Sequence, residues 1–260
     1  MSDQVKSGYI RGIDGIRAIA VLCVILFHIN PRLLPGGFTG VDVFFVISGF
    51  VVSASLARHR QDNFLKFTFE FYSRRIARIL PALIFFILIT ALSVVLFIPE
   101  SWLNLGIDKT GFYALFGLSN FYLARNTGSY FMPILEFNPY MHTWSLGVEE
   151  QFYVIFPPLF FLWLKYGDQG NAWRVIKRNL FLLAAIASLV FAIYESPRNQ
   201  VNAFFLLPSR FWEMAAGALL YQWSMHQSAP KWLLGRRSFL WIGLVIIAAG
   251  MWFATDTAFP

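Results

Sequence analysis

Apolar runs of almost twenty residues recur along the whole of this chain, and they limit what it can fold into. An α-helix needs about 20 apolar residues to cross a hydrocarbon core of about 30 Å. Hydrophobic residues make up 57% of the 260 residues and charged residues 13%, whereas a soluble domain has roughly 25% charged residues. We therefore predict an all-α fold, a polytopic transmembrane helix bundle that forms one integral-membrane domain over residues 1–260. Its membrane segments, about seven to eight in number, lie near residues 14–33, 40–57, 80–98, 105–122, 147–164, 179–195, 203–223 and 238–254.

The basic residues indicate how the chain is oriented. The formal net charge of +7 does not predict nucleic-acid binding, because Lys and Arg collect on the cytoplasmic loops of polytopic proteins. The densest basic stretch lies between the second and third predicted spans, so the positive-inside rule places it in the cytoplasm. We therefore predict a cytoplasmic N-terminus and a first span that runs outward. The basic residues of this stretch are Arg58, Arg60, Lys66, Arg74, Arg75 and Arg78.

Segment 105–122 is the exception among the predicted spans. If it crossed the membrane, the basic loop 165–178 would lie outside and the poorly basic loop 123–142 inside, against the positive-inside rule. The conflict disappears if this segment, which contains Asp108, Lys109 and Asn120, is re-entrant or lies on the membrane surface. We therefore predict loop 123–142 outside and loop 165–178 in the cytoplasm.

The first span carries ionisable residues at Asp14, Arg17 and His28. Arg17 and His28 are eleven residues apart, so in an α-helix they face within about 20° of each other and lie ~16.5 Å apart along the axis. We predict that the stripe from Asp14 through Val21 and Ile25 to His28 faces into the bundle as a functional path. The alternative is that Arg17 is a positive-inside anchor and His28 a hydrogen-bonding residue of helix packing.

Cys23 is the single cysteine of the chain. A single cysteine cannot form a disulfide framework or a cysteine-rich metal site. We predict no metal site in this chain. At five positions from His28 it points about 140° away from the histidine, so we interpret Cys23 as a packing residue.

Three further blocks place polar residues at the mouths or in the middle of spans. The block GGFTGVDVFFVISGF contains Asp42 and the small pair Ser48–Gly49. This pair lets another backbone or a ligand approach closely. In LLPSRFWEMAAGALL, Arg210 and Glu213 are spaced to neutralise each other within one helix. The stretch MHTWSLGVEEQFY places a polar and aromatic cluster at the start of a predicted span. Its carboxylates are either solvated at the membrane boundary or face into the bundle. The residues of this cluster are Trp144, Ser145, Glu149, Glu150 and Tyr153.

Taken in order, these blocks resemble the bacterial integral-membrane acyltransferases, the acyltransferase-three family. The resemblance rests on Arg17 and His28 with ten residues between them, then DVFFVISGF, SRRIARILPA, HTWSLGVEEQFY and PSRFWEMAAGALL, and covers residues from about 8 to 225. It implies a multi-pass protein of the bacterial cytoplasmic (inner) membrane. Such enzymes move acyl groups, commonly acetyl, from a cytoplasmic thioester donor to hydroxyls of envelope carbohydrates such as lipopolysaccharide O-antigen or exopolysaccharide. The family normally has further spans and often an SGNH-type domain, so we expect this domain to be incomplete at its C-terminus.

The resemblance also implies roles for individual residues. Acyl coenzyme A would be the donor substrate, with its phosphates near Arg17, Arg75 and Arg78 and its thioester near His28. An ordinary positive-inside cluster remains the alternative for the arginine pair. His28 would act as general base, because the ordinary pKa of histidine lies near working pH. Glu149, or else Glu150, would orient the His28 ring from the outer half of the bundle.

No nucleophile is evident, so we favour direct transfer without a covalent acyl-enzyme. The expected partners are acyl-CoA, an envelope glycan or lipid-linked saccharide as acceptor, and membrane lipid, with no permanently bound cofactor and no nucleic acid. The rival interpretations are a transporter or flippase of a lipid-linked saccharide and a structural membrane subunit. A transporter favours internal repeats, and the two halves of the sequence share no motif.

Overall fold

The computed structural model describes residues 11–59, 62–99, 106–126, 138–166, 172–225 and 237–254. Within these ranges the regular structure is helical and no strand occurs, which confirms the predicted all-α fold. One 3₁₀ turn, Gly37–Thr39, precedes the second helix. The α-helices are α1 (Arg11–Ile29), α2 (Gly40–Arg58), α3 (Phe64–Phe97), α4 (Ile107–Ala114), α5 (Ser119–Asn126), α6 (Thr143–Tyr166), α7 (Ala172–Glu195), α8 (Gln200–Phe205), α9 (Leu207–Met225) and α10 (Arg237–Phe253).

Three stretches of the described chain are long and apolar enough to cross a membrane: Gly12–Ile29, Gly37–Arg58 and Phe64–Phe97. Two shorter apolar helices are Asn179–Glu195 and Trp241–Phe253. Large apolar side chains also remain exposed along these helices, for example on Phe97, which is 80% exposed. Lipid is the solvent that stabilises such a surface, so the structure is that of a helical membrane bundle.

Helix α3 is longer than predicted. The sequence predicted a span at 80–98 after a basic loop, but the helix already begins at Phe64, where the Asn63 side chain accepts from the backbone N–H groups of Leu65 and Lys66. Its 34 residues rise about 51 Å, well beyond a core of about 30 Å. Arg74, Arg75 and Arg78 therefore lie on this helix.

The chain folds as two compact units. Unit 1 comprises Met1–Arg58 and Trp212–Phe259, and unit 2 comprises His59–Phe211. Unit 1 is packed through glycines. A Cβ on Gly49 would overlap the carbonyl of Met214, and a Cβ on Gly217 would overlap the carbonyl of Val46. The prediction that the Ser48–Gly49 pair admits a close backbone is thus confirmed.

Unit 2 is built on the antiparallel pair α3 and α6. Near one end the rings of Phe64 and Phe161 lie 5.3 Å apart. Towards the other end the Tyr140 hydroxyl, just before α6, donates to the carbonyl of Ile87 at 3.2 Å. The start of α3 and the end of α6 therefore lie at the same end of the unit.

Segment 105–122 does not form one crossing helix. It contains α4 and the beginning of α5, helices of eight residues each, and eight residues rise only about 12 Å. The chain reverses between the two helices, because the rings of Tyr113 and Tyr122 stack at 5.2 Å and Gly106 lies against the Tyr122 hydroxyl. Gly117 at the turn has a φ of 65°, which favours glycine. The prediction that this segment does not cross as a single helix is confirmed; its membrane side stays a prediction.

The predicted span 203–223 is interrupted as well. Helix α8 ends at Phe205, Leu206 is extended with φ −98° and ψ 142°, and α9 begins at Leu207. Pro208 lies in the first turn of α9, where its missing N–H costs no hydrogen bond. The break leaves the last carbonyls of α8 open to side chains from other helices.

Candidate active site

His28 lies in the last turn of α1 and is exposed. Its Nδ1 is 2.8 Å from the carbonyl oxygen of Val24, one turn earlier. A carbonyl only accepts, so Nδ1 carries the hydrogen and Nε2 carries the lone pair. The Phe27 ring meets the imidazole edge-on at 5.3 Å. The local structure thus presents the tautomer in which Nε2 can take up a proton.

The predicted inward stripe of α1 is for the most part exposed, whereas Ala20 on the same helix is buried. Asp14 and His28 are exposed, Arg17 is half-buried, and Val21 and Ile25 are 41% and 48% exposed. Within unit 1 the stripe is therefore not part of the packed face, and its orientation towards the rest of the bundle stays a prediction.

Within unit 1, α1 packs through the face that carries Ala20. Ala20 is fully buried, and a Cβ on Gly40 would overlap its carbonyl, just as a Cβ on Gly37 would overlap the carbonyl of Cys23. Glycine allows the tightest backbone contact, and that contact lies on the side of Ala20 and Cys23.

Arg75, Tyr153 and Glu149 form a cluster between α3 and α6. The Arg75 guanidinium carbon lies 4.8 Å from the centre of the Tyr153 ring and 5.6 Å from that of Phe71. The Tyr153 hydroxyl donates to Glu149 Oε2 at 3.0 Å. Tyr153 is buried, whereas Arg75 and Glu149 are half-buried. The cluster therefore joins two blocks that are far apart in sequence.

This cluster corrects the predicted depths. We placed Glu149 in the outer half of the bundle and Arg75 on the cytoplasmic side, but Glu149 is one helical turn from Tyr153, against which Arg75 packs. Both residues therefore lie at one level of unit 2. The predicted pairing of Glu149 with His28 joins residues of different units and stays a prediction.

The two arginines of the predicted phosphate site have different surroundings. Arg75 packs on aromatic rings, whereas Arg78 is exposed. Their neighbour Arg74 lies 3.9 Å from Glu70. Arg78 is thus the more accessible of the predicted pair.

Trp144 and Arg210 come together at the break between α8 and α9. Arg210 is only 2% exposed, and its Nε donates to the carbonyl of Phe204 at 3.0 Å. Its guanidinium carbon lies 4.9 Å from the Phe204 ring and 5.7 Å from the Trp144 ring. The buried cation is therefore held by a carbonyl freed at the helix break and by aromatic faces.

The remaining predicted residues are placed singly. Ser48 and Glu213 are buried, and Asp42 is half-buried in the first turn of α2. The Ser145 hydroxyl donates to the carbonyl of His142 at 3.3 Å, a local contact. The predicted neutralisation of Arg210 by Glu213 stays a prediction.

Glu150 packs against the turn between α4 and α5. A Cβ on Gly117 would overlap the Glu150 carboxylate. Beside it, Gln151 Nε2 donates to the Gly117 carbonyl at 3.0 Å and to Asn120 Oδ1 at 2.8 Å. Asn120 is fully buried and its Nδ2 donates to the carbonyl of Phe205 at 3.0 Å. A polar network thus ties the α4–α5 turn to α6 and to the α8–α9 break.

Sequence reasoning singled out neither Gln151 nor Tyr72 as a site residue. Tyr72 donates its hydroxyl proton to the carbonyl of Tyr153 at 2.9 Å. The sequence contained a signal for such a donor. Pro157 and Pro158 inside α6 leave backbone carbonyls without their helical N–H, and these carbonyls require another donor. For Gln151 and Asn120 the available signal was their amides in apolar surroundings.

Nearly the whole sequence matches a protein family. Residues 10–259 fit the family described as an acyltransferase domain. The chain belongs to this acyltransferase family. The resemblance inferred from the motif order is thereby confirmed.

Relatives within the family are O-acetyltransferases by name. The peptidoglycan O-acetyltransferase OatA of Listeria monocytogenes is 31% identical over 223 residues, which are 85% of this chain and 35% of the relative. The O-acetyltransferase OatA of Staphylococcus aureus is 32% identical over 213 residues, 82% of this chain and 34% of the relative. The chain thus spans about a third of the length of these relatives. No solved structure matches the chain.

Proposed function

We propose that this chain is the membrane part of an O-acyltransferase. It moves an acyl group, acetyl in the first instance, from acyl coenzyme A to a hydroxyl of an envelope carbohydrate. Membership of the acyltransferase family and similarity to named O-acetyltransferases support the reaction class. The apolar helices support a membrane location, and the basic segments support a multi-pass arrangement in the bacterial cytoplasmic membrane with the N-terminus in the cytoplasm.

The observation that carries this proposal is the tautomer of His28. Because Nδ1 donates to the Val24 carbonyl, Nε2 is the nitrogen that can accept the proton of an acceptor hydroxyl. His28 also lies in the last turn of α1 and is exposed. The local structure therefore suits a general base.

The proposed reaction is one direct transfer. The acceptor hydroxyl gives its proton to His28 Nε2 while its oxygen attacks the thioester carbonyl carbon. The new C–O bond forms and the C–S bond breaks, so that coenzyme A leaves as a thiolate. The imidazolium returns the proton to that thiolate, and His28 is regenerated.

Arginines supply the donor contacts in this proposal. Arg17, half-buried on α1, lies ~16.5 Å along the helix from His28, a distance comparable with the reach of the pantetheine arm. Arg75 and Arg78 bind phosphate oxygens at the cytoplasmic side, since a guanidinium donates to phosphate through two N–H groups.

The acceptor is an envelope glycan. The Listeria relative is named for peptidoglycan, so peptidoglycan is the first acceptor to test for this chain. O-antigen and exopolysaccharide, or their lipid-linked precursors, are the other acceptors that share the required free hydroxyl.

Labelled acetyl transfer tests the proposal directly. Membranes from cells that express the protein receive acetyl-labelled coenzyme A together with peptidoglycan fragments, lipopolysaccharide or exopolysaccharide. We expect label on one glycan, and His28→Ala should lower the rate by about 100-fold or more, the usual contribution of a general base. His59→Ala, at another exposed histidine, is the control and should retain the rate. Full activity of His28→Ala would exclude the general-base role.

A further inference from the structure

Two consecutive prolines interrupt the hydrogen bonding of α6. Pro157 and Pro158 lie inside this helix, and proline has no N–H to give to the carbonyl four residues earlier. The carbonyls of Tyr153 and Val154 therefore lack their helical donor. Within a membrane such a carbonyl must find a partner from a neighbouring group.

Tyr72 of α3 supplies that partner. Its hydroxyl is 2.9 Å from the Tyr153 carbonyl oxygen and 3.4 Å from that of Val154. A hydroxyl has one proton, so the bond to Tyr153 is the principal one. The two carbonyls next to Tyr72 are those that Pro157 and Pro158 leave without a helical donor.

The capped residue also carries the side-chain cluster of the site. The Tyr153 hydroxyl donates to Glu149 at 3.0 Å, and Arg75, three residues after Tyr72, lies 4.8 Å over the Tyr153 ring. One hydrogen bond to the Tyr153 backbone therefore anchors the residue that contacts both Glu149 and Arg75.

We propose that Tyr72 is a positioning residue for acyl transfer. By capping the carbonyl that Pro157 leaves open, it holds the Tyr153 backbone in place. Tyr153 then keeps Arg75 oriented towards the donor phosphates. This role rests on the proposed function, in which Arg75 binds the donor.

The first test is Tyr72→Phe, which removes only the hydroxyl. We expect the KM for acetyl coenzyme A to rise roughly tenfold, the scale of one lost hydrogen bond to a buried group, while kcat changes little. A merely structural role predicts the opposite pattern: less active protein in the membrane and an unchanged KM. Immunoblotting of the membranes provides the amount of protein that is needed to obtain kcat from the maximal rate.

The second test identifies the atom through which Tyr72 acts. Adding Pro157→Ala to Tyr72→Phe restores an N–H that can donate to the Tyr153 carbonyl, so the KM should return towards that of Pro157→Ala alone. Pro158→Ala is the matched control. It restores an N–H that can donate to the Val154 carbonyl, which the Tyr72 hydroxyl approaches only at 3.4 Å. It should relieve the defect much less.

The outcomes separate this inference from the proposed function. Tyr113→Phe removes the hydroxyl of an exposed tyrosine elsewhere in unit 2 and should behave as the wild type.

An active wild type with an unchanged KM in Tyr72→Phe overturns the inference alone, as does equal relief by Pro157→Ala and Pro158→Ala. If the double variants fail to accumulate, the KM of Tyr72→Phe still decides. A wild type without transfer to any tested glycan overturns the proposed function, and the inference with it.

Discussion

Polar side chains in this bundle are held by backbone carbonyls that helix geometry leaves open. Tyr72 uses the Tyr153 carbonyl, which Pro157 leaves without a helical donor. Arg210 and Asn120 use carbonyls of Phe204 and Phe205, at the end of α8. Each of these donors avoids the cost of an unsatisfied polar group in apolar surroundings, which is about 1–3 kcal/mol. Helix ends and proline sites therefore provide the acceptors for these polar side chains.

Arg75 and Arg78 should respond differently to replacement by lysine. Arg75 stacks on Tyr153 and Phe71, and lysine loses the planar stacking and the forked donors. We expect Arg75→Lys to raise the KM for acetyl coenzyme A about threefold to tenfold. Arg78→Lys, at an exposed position, loses only the forked donors and should raise the KM by less, about twofold to threefold. The measurement is the KM for the donor, and equal effects at the two positions would contradict the assigned surroundings.

Helices pack by two different means in the two units. In unit 1, α2 and α9 meet at Gly49 and Gly217, where backbone touches backbone. In unit 2, aromatic rings fill the core, for example the stacked Phe152 and Phe156 rings at 4.8 Å. Glycine contacts are sensitive to any added atom, whereas large rings contribute through buried area.

Gly217→Ala should destabilise the protein. Its Cβ would overlap the Val46 carbonyl, and relief requires α2 and α9 to separate, at a cost of about 1–3 kcal/mol. Gly243→Ala is the matched control, because nothing lies within 4 Å of its added Cβ; alanine also favours helix by roughly 0.5–1 kcal/mol. Thermal unfolding in detergent should show a lower Tm for the first variant alone. Equal Tm values would mean that the two helices do not pack through Gly217.

Two basic segments of unit 2, at the start of α3 and at the end of α6, lie at the same end of the unit. Phe64 and Phe161 bring together the start of α3 and the end of α6, which carries Lys165. The α4–α5 hairpin reverses the chain between these two helices, so no third crossing is required between them. The positive-inside rule therefore predicts that both basic segments lie on one side, the cytoplasm.

Cysteine labelling tests this assignment in intact cells. Single cysteines replace Ser129 and Gly170, positions outside the described residues, in a background with Cys23→Ser. An impermeant thiol reagent should label position 129 and not position 170, because loop 123–142 is predicted outside and loop 165–178 inside. Both positions should react after the membrane is opened, which serves as the control. Labelling at 170 but not at 129 would reverse the predicted topology.

The sequence by itself determined the helical membrane character, most helix positions and the family. These features depend on local properties: apolar run length, proline and glycine positions, and motif order. Tertiary structure alone decided which polar groups meet. Tyr72 and Tyr153 are 81 positions apart, and their contact depends on the register of two packed helices, which no local pattern encodes. The same reason explains the exposed stripe of α1 and the shared level of Arg75 and Glu149, since packing against glycine or aromatic neighbours selects which helix face is covered.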